Sequence, residues 1–455
     1  MPNARSSTSS AAVLAPVPEP ASDGPARGLV WTLGLGAFGL AFSLTTTAAY
    51  LPRLLRGFTS STGLIGLILG SEGAFALTLP LVIGPWSDTF HTPMGRRRPF
   101  MLAAIGPIGF CLALLAFMPS LWTTTLLVLA FFFAYYVYEP PYRGLYPDLL
   151  PGSVYGRAQG VQHLLRGAAL GLALIGGAGL FHLWHAAPFL VAAFVVVAAC
   201  SVPILFVHEV GGEDRVFEGV GTYLRHSWRV FSVNGNVRRF LIANAAWEGT
   251  FAGARSFVVL YITIGLGQRS VSVTTSVLAT VAGGYVVAAL VAGRLGDRFG
   301  LARVIWTSSI LYGAGLLGGG LARSWHYWYL GVVFVVSIAA GAVMTLAWGL
   351  LFKLMPTQDR GAISGLATTT KGFGLLIGTP LAGVAIDLLA PHLQATHGYQ
   401  ALWPLLGIPI LAVIPLVMSL ERVESEADAE ARAEQREAPD GAVGDVDDGL
   451  RMPSR

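Results

Sequence analysis

Charge is what this chain has least of. Asp, Glu, Lys and Arg make up 12% of its 455 residues, about half the usual share of a globular domain. A soluble fold of this length is excluded, because its surface would need far more charge. Cysteine is scarce too. Cys111 and Cys200 sit inside apolar runs, where they act as small hydrophobes and imply no disulfide framework. The sequence shows no phosphate-binding glycine loop, metal-ligand cluster or nucleophile motif. An enzyme is therefore not expected, nor a resident cofactor, nor a nucleic-acid partner. Residues 1–27 are rich in Ser, Ala and Pro, lack the apolar core of a cleavable signal peptide, and read as a disordered tail.

What the chain does have is apolar length. Hydrophobic residues make up 54% of it, and glycine, which membrane helices use for close packing, fills 56 positions. A helix needs about 20 apolar residues to cross a hydrocarbon core of about 30 Å. The candidate spans are 28–50, 62–87, 99–118, 121–147, 158–181, 186–207, 239–263, 270–293, 302–322, 327–352, 361–389 and 400–420. They predict an all-α membrane protein of twelve transmembrane helices in two six-helix bundles, 28–207 and 239–420. In the linker 208–238, Phe217, Val220, Leu224, Trp228 and Phe231 recur at helical spacing and predict an interfacial amphipathic helix. Residues 421–455 hold 11 acids and 5 bases and read as an acidic disordered tail. Sixteen Lys and Arg residues flank the spans on the side of the chain ends. Only Arg53, Arg56, Arg269 and Arg323 lie on the other side, which predicts cytoplasmic termini in a multi-pass protein of the cell membrane.

Two loops repeat at half-chain spacing. Gly84-Pro85-Trp86-Ser87-Asp88, closing with Gly95-Arg96-Arg97-Arg98-Pro99, is echoed 209 residues later by Gly293-Arg294-Leu295-Gly296-Asp297-Arg298-Phe299-Gly300. A second echo matches Pro151, Gly160 and Arg166 with Pro356, Gly365 and Lys371 at an offset of 205. Parallel repeats of this kind build many secondary transporters. Gly84, Asp88, Gly95, Arg96, Arg97 and Arg98 in the first loop, with Gly293, Asp297 and Arg298 in the second, are read as a cytoplasmic gate. Charges that only set topology are the alternative.

Ionisable residues inside a membrane cost several kcal/mol and usually mark function. The spans hold Glu72, Glu139, Arg143, Asp148, Arg166, Glu248, Arg255, Lys371 and Asp387. Glu139 and Arg143, four apart, share a helix face, as do Glu248 and Arg255, seven apart. Asp387, near a span end, is expected to snorkel. A buried carboxyl can take a proton on one side of the membrane and release it on the other, with an arginine holding the deprotonated form. Glu139, Arg143 and Asp148 are the expected coupling group, on a helix that Pro140, Pro141 and Pro147 should make irregular. Arg166 and Lys371 should face one cavity from opposite halves, joined there by Glu72, Glu248 and Arg255. Aromatics cluster around these charges: Tyr135, Tyr136, Tyr138, Tyr142, Tyr146, Trp247 and Trp348, of which Tyr138, Tyr142 and Trp247 are the first candidate platforms for the C–H faces of a sugar ring. Static ion pairs and an interfacial aromatic belt are the alternatives.

The paired loops resemble the signature loop of the major facilitator superfamily, in both halves. Ser87-Asp88 followed by Gly95-Arg96-Arg97-Arg98-Pro99-Phe100 resembles plant sucrose/proton symporters, their animal relatives and the glycoside–pentoside–hexuronide:cation symporters. Pro141-Tyr142-Arg143-Gly144-Leu145-Tyr146-Pro147-Asp148-Leu149 is similar to the plant motif Pro-x-Arg-Ala-Leu-x-x-Asp-Leu, which implies a coupling role for Asp148 beside Arg143. The melibiose-type branch implies instead that Glu139 binds the coupling cation and the sugar. Its basic residues fall near Arg166 and on Lys371-Gly372. Its helix-1 aspartate would fall near Ala41, and its helix-2 acid is replaced by Leu79-Pro80-Leu81, which weakens a sodium site and leaves protons. The resemblance implies proton-coupled symport of a sugar or glycoside, by a monomer that draws on a proton gradient. A proton-coupled exporter of a drug or secreted small molecule is the alternative. The fifth-helix proline of such exporters is missing from Gly167-Ala168-Ala169-Leu170-Gly171-Leu172, although Gly378-Thr379-Pro380 has some of their character.

Overall fold

The computed structural model describes residues 23–90, 92–150, 155–209, 220–268, 270–354 and 360–437. Arg215 and Phe217 of the linker, Pro151, Pro356, Arg269 and both extreme tails lie outside them. Secondary structure among the described residues is entirely helical. The first bundle is α1 (Asp23–Leu55), α2 (Thr62–Thr89), α3 (Arg98–Leu115), α4 (Leu121–Leu149), α5 (Tyr155–Leu183) and α6 (Ala187–Phe206). The linker helix α7 (Val220–Val233) follows, and the second bundle is α8 (Gly235–Leu260), α9 (Val271–Phe299), α10 (Leu301–Gly319), α11 (Tyr329–Leu354), α12 (Arg360–Leu389), α13 (Leu402–Ala412) and α14 (Ile414–Glu437). α13 and α14 form one span broken at Val413, because Pro415 has no N–H to continue the ladder.

Eleven described helical stretches are long and apolar enough to cross a membrane. α8 is the remaining span of the second bundle. It carries Arg238, Arg239, Glu248 and Arg255, and it packs against α1, α12 and α13, so protein covers its polar positions. Local signals fix several helix starts. Ser61, Ser120 and Asn234 cap α2, α4 and α8 by accepting from the N–H groups of Leu64, Thr123 and Val237.

Three boundaries differ from the sequence expectation. α1 begins at Asp23, inside the segment read as a tail. α4 runs unbroken from Leu121 to Leu149 through Pro140, Pro141 and Pro147. Its neighbours α2 and α3 pack along it, and such packing holds a proline-bearing helix together. The acidic segment also continues helically to Glu437, and Glu424 within it is 2% exposed. That carboxylate has backbone partners, described below, which charge counting along the chain cannot reveal.

The halves meet through α2 with α12, α5 with α9, and α1 with α8. The first two contacts are equivalent under the internal repeat. α2 and α12 touch backbone to backbone. A methyl on Gly73 would overlap Gly372 O and Leu376 N, and one on Gly66 would lie 2.7 Å from Thr379 O. α12 meets α8 in the same way, since a methyl on Gly249 would sit 2.8 Å from Gly374 O. Glycine at these positions lets the backbones approach. The α2–α12 seam runs from Thr62 and Gly383, on the face opposite the chain ends, to Leu77 and Gly372. Beyond it the helices part around a hollow of about 250 Å3 lined by Pro80, Leu81, Gly365 and Thr369. The interface is thus closed on the far face and hollow towards the chain ends.

Candidate functional site

Where the seam ends, the halves enclose a chamber of about 180 Å3, which shares Ala76, Arg143, Trp348 and Thr368 with the hollow. Glu72, Glu139, Arg143, Arg166, Glu248, Arg255 and Lys371 all line it. Seven ionisable residues from α2, α4, α5, α8 and α12 therefore converge on one space. Arg143 donates to Glu139 through Nη2 at 2.7 Å and Nε at 2.9 Å, one helical turn apart on α4. Arg255 donates to Glu72 Oε2 at 3.2 Å, joining α8 of one half to α2 of the other. The Tyr136 hydroxyl donates to the other oxygen of Glu72 at 3.3 Å. Both carboxylates are buried while the Arg143 side chain keeps 35% of its exposure, so that guanidinium is the reachable member of its pair. Arg166 and Lys371 face the chamber from α5 and α12, the helices equated by the offset of 205.

The aromatic wall keeps part of the sequence expectation: of the rings the sequence clusters around these charges, Tyr135, Tyr136 and Trp348 line the chamber, while others do not. Tyr138, Tyr142 and Trp247 are fully buried and do not line the chamber. Tyr138 donates to Cys200 O at 2.7 Å and Tyr142 to Leu33 O, so both tie α4 to its own bundle, and Trp247 packs edge-on against Phe240. Tyr135, Tyr136, Phe251, Tyr285 and Trp348 are the rings at the chamber. Asn244 and His163, which the sequence did not single out, line it as well. Asn244 donates to Ala367 O at 3.2 Å and Thr370 Oγ1 at 3.1 Å, fixing α8 against α12 beside Lys371.

Asp148 also lies elsewhere. It accepts from Arg97 Nε at 2.7 Å and lies 3.5 Å from Arg96, while the other arm of Arg97 reaches Asp88 at 2.6 Å. It thus belongs with the first loop, not with Glu139. A methyl on Gly144 would overlap the Arg97 guanidinium, so that glycine lets the side chain cross α4. Glu209, just past α6, accepts from the backbone N–H groups of Arg96, Arg97 and Arg98 at 2.6, 3.0 and 2.9 Å. It caps the start of α3, where the helix dipole favours an anion. Gly95 turns the chain at φ +105°, and a methyl there would lie 2.8 Å from the Glu209 carboxyl carbon.

The second loop is built more sparely. α9 passes into α10 through Gly300 alone, at φ +90°. Glu424 of α14 accepts from Leu301 N and Ala302 N, each at 2.8 Å, and pairs with Lys353 at 3.1 Å. Glu424 is to α10 what Glu209 is to α3. Gly84 and Gly293 leave open space around their α carbons, while Asp297 and Arg298 are exposed and Arg298 lies 5.1 Å over the ring of Phe299.

On the opposite face, Asp387 does not simply reach for water. It accepts from Ser61 Oγ, Thr62 N and Gly63 N, each at 2.8 Å. An acid of the second half therefore caps the start of α2 in the first.

The sequence profile of the Major Facilitator Superfamily matches residues 33–275 and 251–446. A D-xylose transporter of Levilactobacillus brevis is 28% identical over 130 residues, 28% of this chain and 27% of that protein. An uncharacterised transporter of the same superfamily from Mycobacterium tuberculosis is 28% identical over 159 residues, 34% of this chain and 23% of the relative. The matched stretches thus span about a quarter of these relatives' lengths. Among solved structures, the nucleoside transporter NupG superposes with a TM-score of 0.67 at 15% identity, over 87% of this chain and 98% of the other. The human organic anion transporter MFSD10 does so at 0.65 and 17% identity, over 86% and 99%. These likenesses speak to the fold. With two six-helix bundles, a duplicated arginine loop and a charged chamber between the halves, the chain belongs to the Major Facilitator Superfamily of membrane transporters.

Proposed function

We propose that the protein carries a sugar or glycoside together with a proton, by alternating access around the chamber. The observation that carries this reading is the Glu139–Arg143 pair, a carboxylate held by an arginine where solute would sit. A proton on Glu139 frees Arg143 for the solute, and loss of that proton restores the pair. Binding and protonation are then linked through one side chain. Asp148, tied to Arg97, serves the gate. Charged and amide groups suit hydroxyls, while the Trp348 and Tyr285 rings suit the C–H face of a sugar.

The α5 stretch 167–172, which lacks the proline of the drug exporters, favours this solute over the exporter's drug. The D-xylose and nucleoside transporters among the similar proteins point the same way, since both solutes carry a hydroxylated ring. With the termini cytoplasmic, as the arginine bias favours, the hollow opens inward and the far-face seam closes the outside. The energy source is then the proton gradient, with no cofactor, and the functional unit is a monomer in the cell membrane.

The test is uptake of radiolabelled sugars into proteoliposomes under an imposed pH gradient. Wild type should concentrate a solute of the panel. Glu139→Gln should lose that accumulation yet still exchange solute across the membrane. Accumulation by Glu139→Gln at the wild-type pH dependence would refute the coupling role.

A further inference from the structure

We infer that, whatever solute the chamber takes, α7 and the start of α8 bind the phosphate groups of anionic phospholipids in the leaflet on the chain-end side. Between Glu218 and Glu248 the chain carries four arginines and no acid: Arg225, Arg229, Arg238 and Arg239. All four are exposed, and none meets a carboxylate of a described residue. Arg225 donates to Gly221 O at 3.3 Å, Arg238 to Ser232 O at 3.0 Å and Arg239 to Asn236 Oδ1 at 3.2 Å. Other cations on this side are neutralised within the protein: Arg97 by Asp88 and Asp148, Lys353 by Glu424, and Arg303 by Glu421. The linker patch is a block of positive charge that the described fold leaves for something outside it to balance.

Position favours lipid over a protein partner. Asn234 alone separates α7 from α8, and it caps α8 by accepting from Val237 N at 3.1 Å. α7 therefore lies at the level where α8 enters the bilayer. Its two faces are used differently. Ser227 and Val230 are buried, and α7 packs on α8 and α12. Arg225, Arg229 and Ser232 lie on the exposed face. Trp228, 69% exposed, stands at the border between the two, stacked on Phe231 at 5.6 Å. An indole beside arginines suits a membrane–water interface, where the ring sits at headgroup level and the guanidinium forks meet phosphate oxygens. An acidic protein would have to reach the patch at a level that headgroups already occupy. Each arginine near an anionic leaflet is worth about fivefold in affinity. Since α7 rests on α12, which carries Lys371 and the glycine seam, lipid bound here seats the second half against the leaflet.

The experiment uses the full-length protein in lipid nanodiscs, which leave both faces open to reagent. Ser232→Cys places a thiol on the exposed face of α7, and the native Cys111 and Cys200 are buried. Its labelling by an uncharged poly(ethylene glycol) maleimide is timed in phosphatidylcholine and in an equal mixture of phosphatidylcholine and phosphatidylglycerol. Phosphatidylglycerol should slow labelling about fivefold or more, and high salt should reverse most of that. Ser324→Cys, exposed on the far face, should label alike in both lipids. Arg225→Gln combined with Arg229→Gln should bring the two Ser232→Cys rates together. Arg225→Lys with Arg229→Lys should keep most of the difference, with gel filtration confirming folded protein. Equal Ser232→Cys rates in the two lipids overturn the inference, whether fast, as for a face in water, or slow, as for one covered by the chain's own acidic segment. Slowing in phosphatidylcholine by added glycerol phosphate assigns the patch to free phosphate and overturns it too. So does slowing that survives the glutamine pair. The lipid comparison needs no change to the arginines, so it decides even if a variant fails to fold.

Discussion

At one register of the internal repeat, an offset of 205 residues, α4 presents Glu139 and Arg143 to the chamber where α11 presents Met344 and Trp348. Five residues past Arg143, at the same offset, the polarity reverses: α4 has Asp148, held by Arg97, and α11 has Lys353, held by Glu424. Duplication supplied the same helices twice, and the halves then took different chemistry at matched positions. One wall of the chamber grips by charge and the other offers a thioether and an indole. The solute proposed above, a sugar, has both kinds of surface, hydroxyl edges and a C–H face, so under that proposal two unlike walls suit it better than two like ones. The gate loops show the same divergence. In the first, Arg97 bridges Asp88 and Asp148, whereas in the second Asp297 and Arg298 are exposed.

The most drastic way to break this comparison is to make the walls alike. Met344→Glu combined with Trp348→Arg would copy the first-half pair onto α11. Uptake should fall about 100-fold or more, because four charges would crowd the space a ring must enter. Trp348→Ala alone should weaken binding about tenfold, near the upper range for loss of an aromatic contact. Uptake by the double variant at the wild-type rate would show that the asymmetry has no role.

The gate loops should separate by a smaller margin. Arg97→Ala leaves Asp88 and Asp148 together without their shared cation. Removing one partner of a buried pair costs ~3–5 kcal/mol, and the 27% and 21% exposure of these acids reduces that to about 2 kcal/mol. Arg298→Ala should stay within about 0.5 kcal/mol, as for other exposed positions. Thermal unfolding of both variants in detergent checks this. Asp88→Asn should slow transport with membrane insertion and orientation intact, and Asp297→Asn should slow it less.

The smallest effects belong to the feature the halves share. Glu209→Gln and Glu424→Gln should each cost about 1 kcal/mol, the usual worth of a helix cap. A much larger loss for Glu424 would mean that Lys353, not the cap, dominates there. Asp387→Asn weakens the cap that crosses between halves. It should raise labelling of Ser61→Cys by a membrane-impermeant maleimide several-fold at most, since the amide oxygen can still accept from one of the two N–H groups, Thr62 N or Gly63 N.

The sequence revealed the parts of this arrangement that repeat or follow helical spacing. Arg166 and Lys371 were visible as a matched pair because duplication preserved their register. Glu139 and Arg143 were visible because four residues make one turn. The direction of a side chain on a helix that is apolar all round was not visible, which is why Tyr138, Tyr142 and Trp247 were placed at the chamber although they point into their bundles. Nor were the long-range acceptors. Glu209, Glu424 and Asp387 each serve a helix start more than 100 residues away in the chain. A signal existed for the first two: each acid lies at the chain-end side of the last span of its half, and each faces a glycine just before the helix it caps.

The glycine seam between α2 and α12 has a mechanical consequence. Side chains that interlock make neighbouring helices move in steps, each step needing knobs to leave their holes. At Gly66 and Gly73 backbone meets backbone, and at Gly63 and Gly70 the Val384 and Pro380 side chains lie against bare glycine, a surface like that of a plain bearing. Such a surface holds the helices at a fixed spacing while offering little to catch their rotation. If the halves rock about this seam, the contacts at its ends, Asp387 on one face and the Arg97 cluster on the other, are the ones that must break and re-form. A single added methyl along the seam would turn a smooth joint into a ratchet.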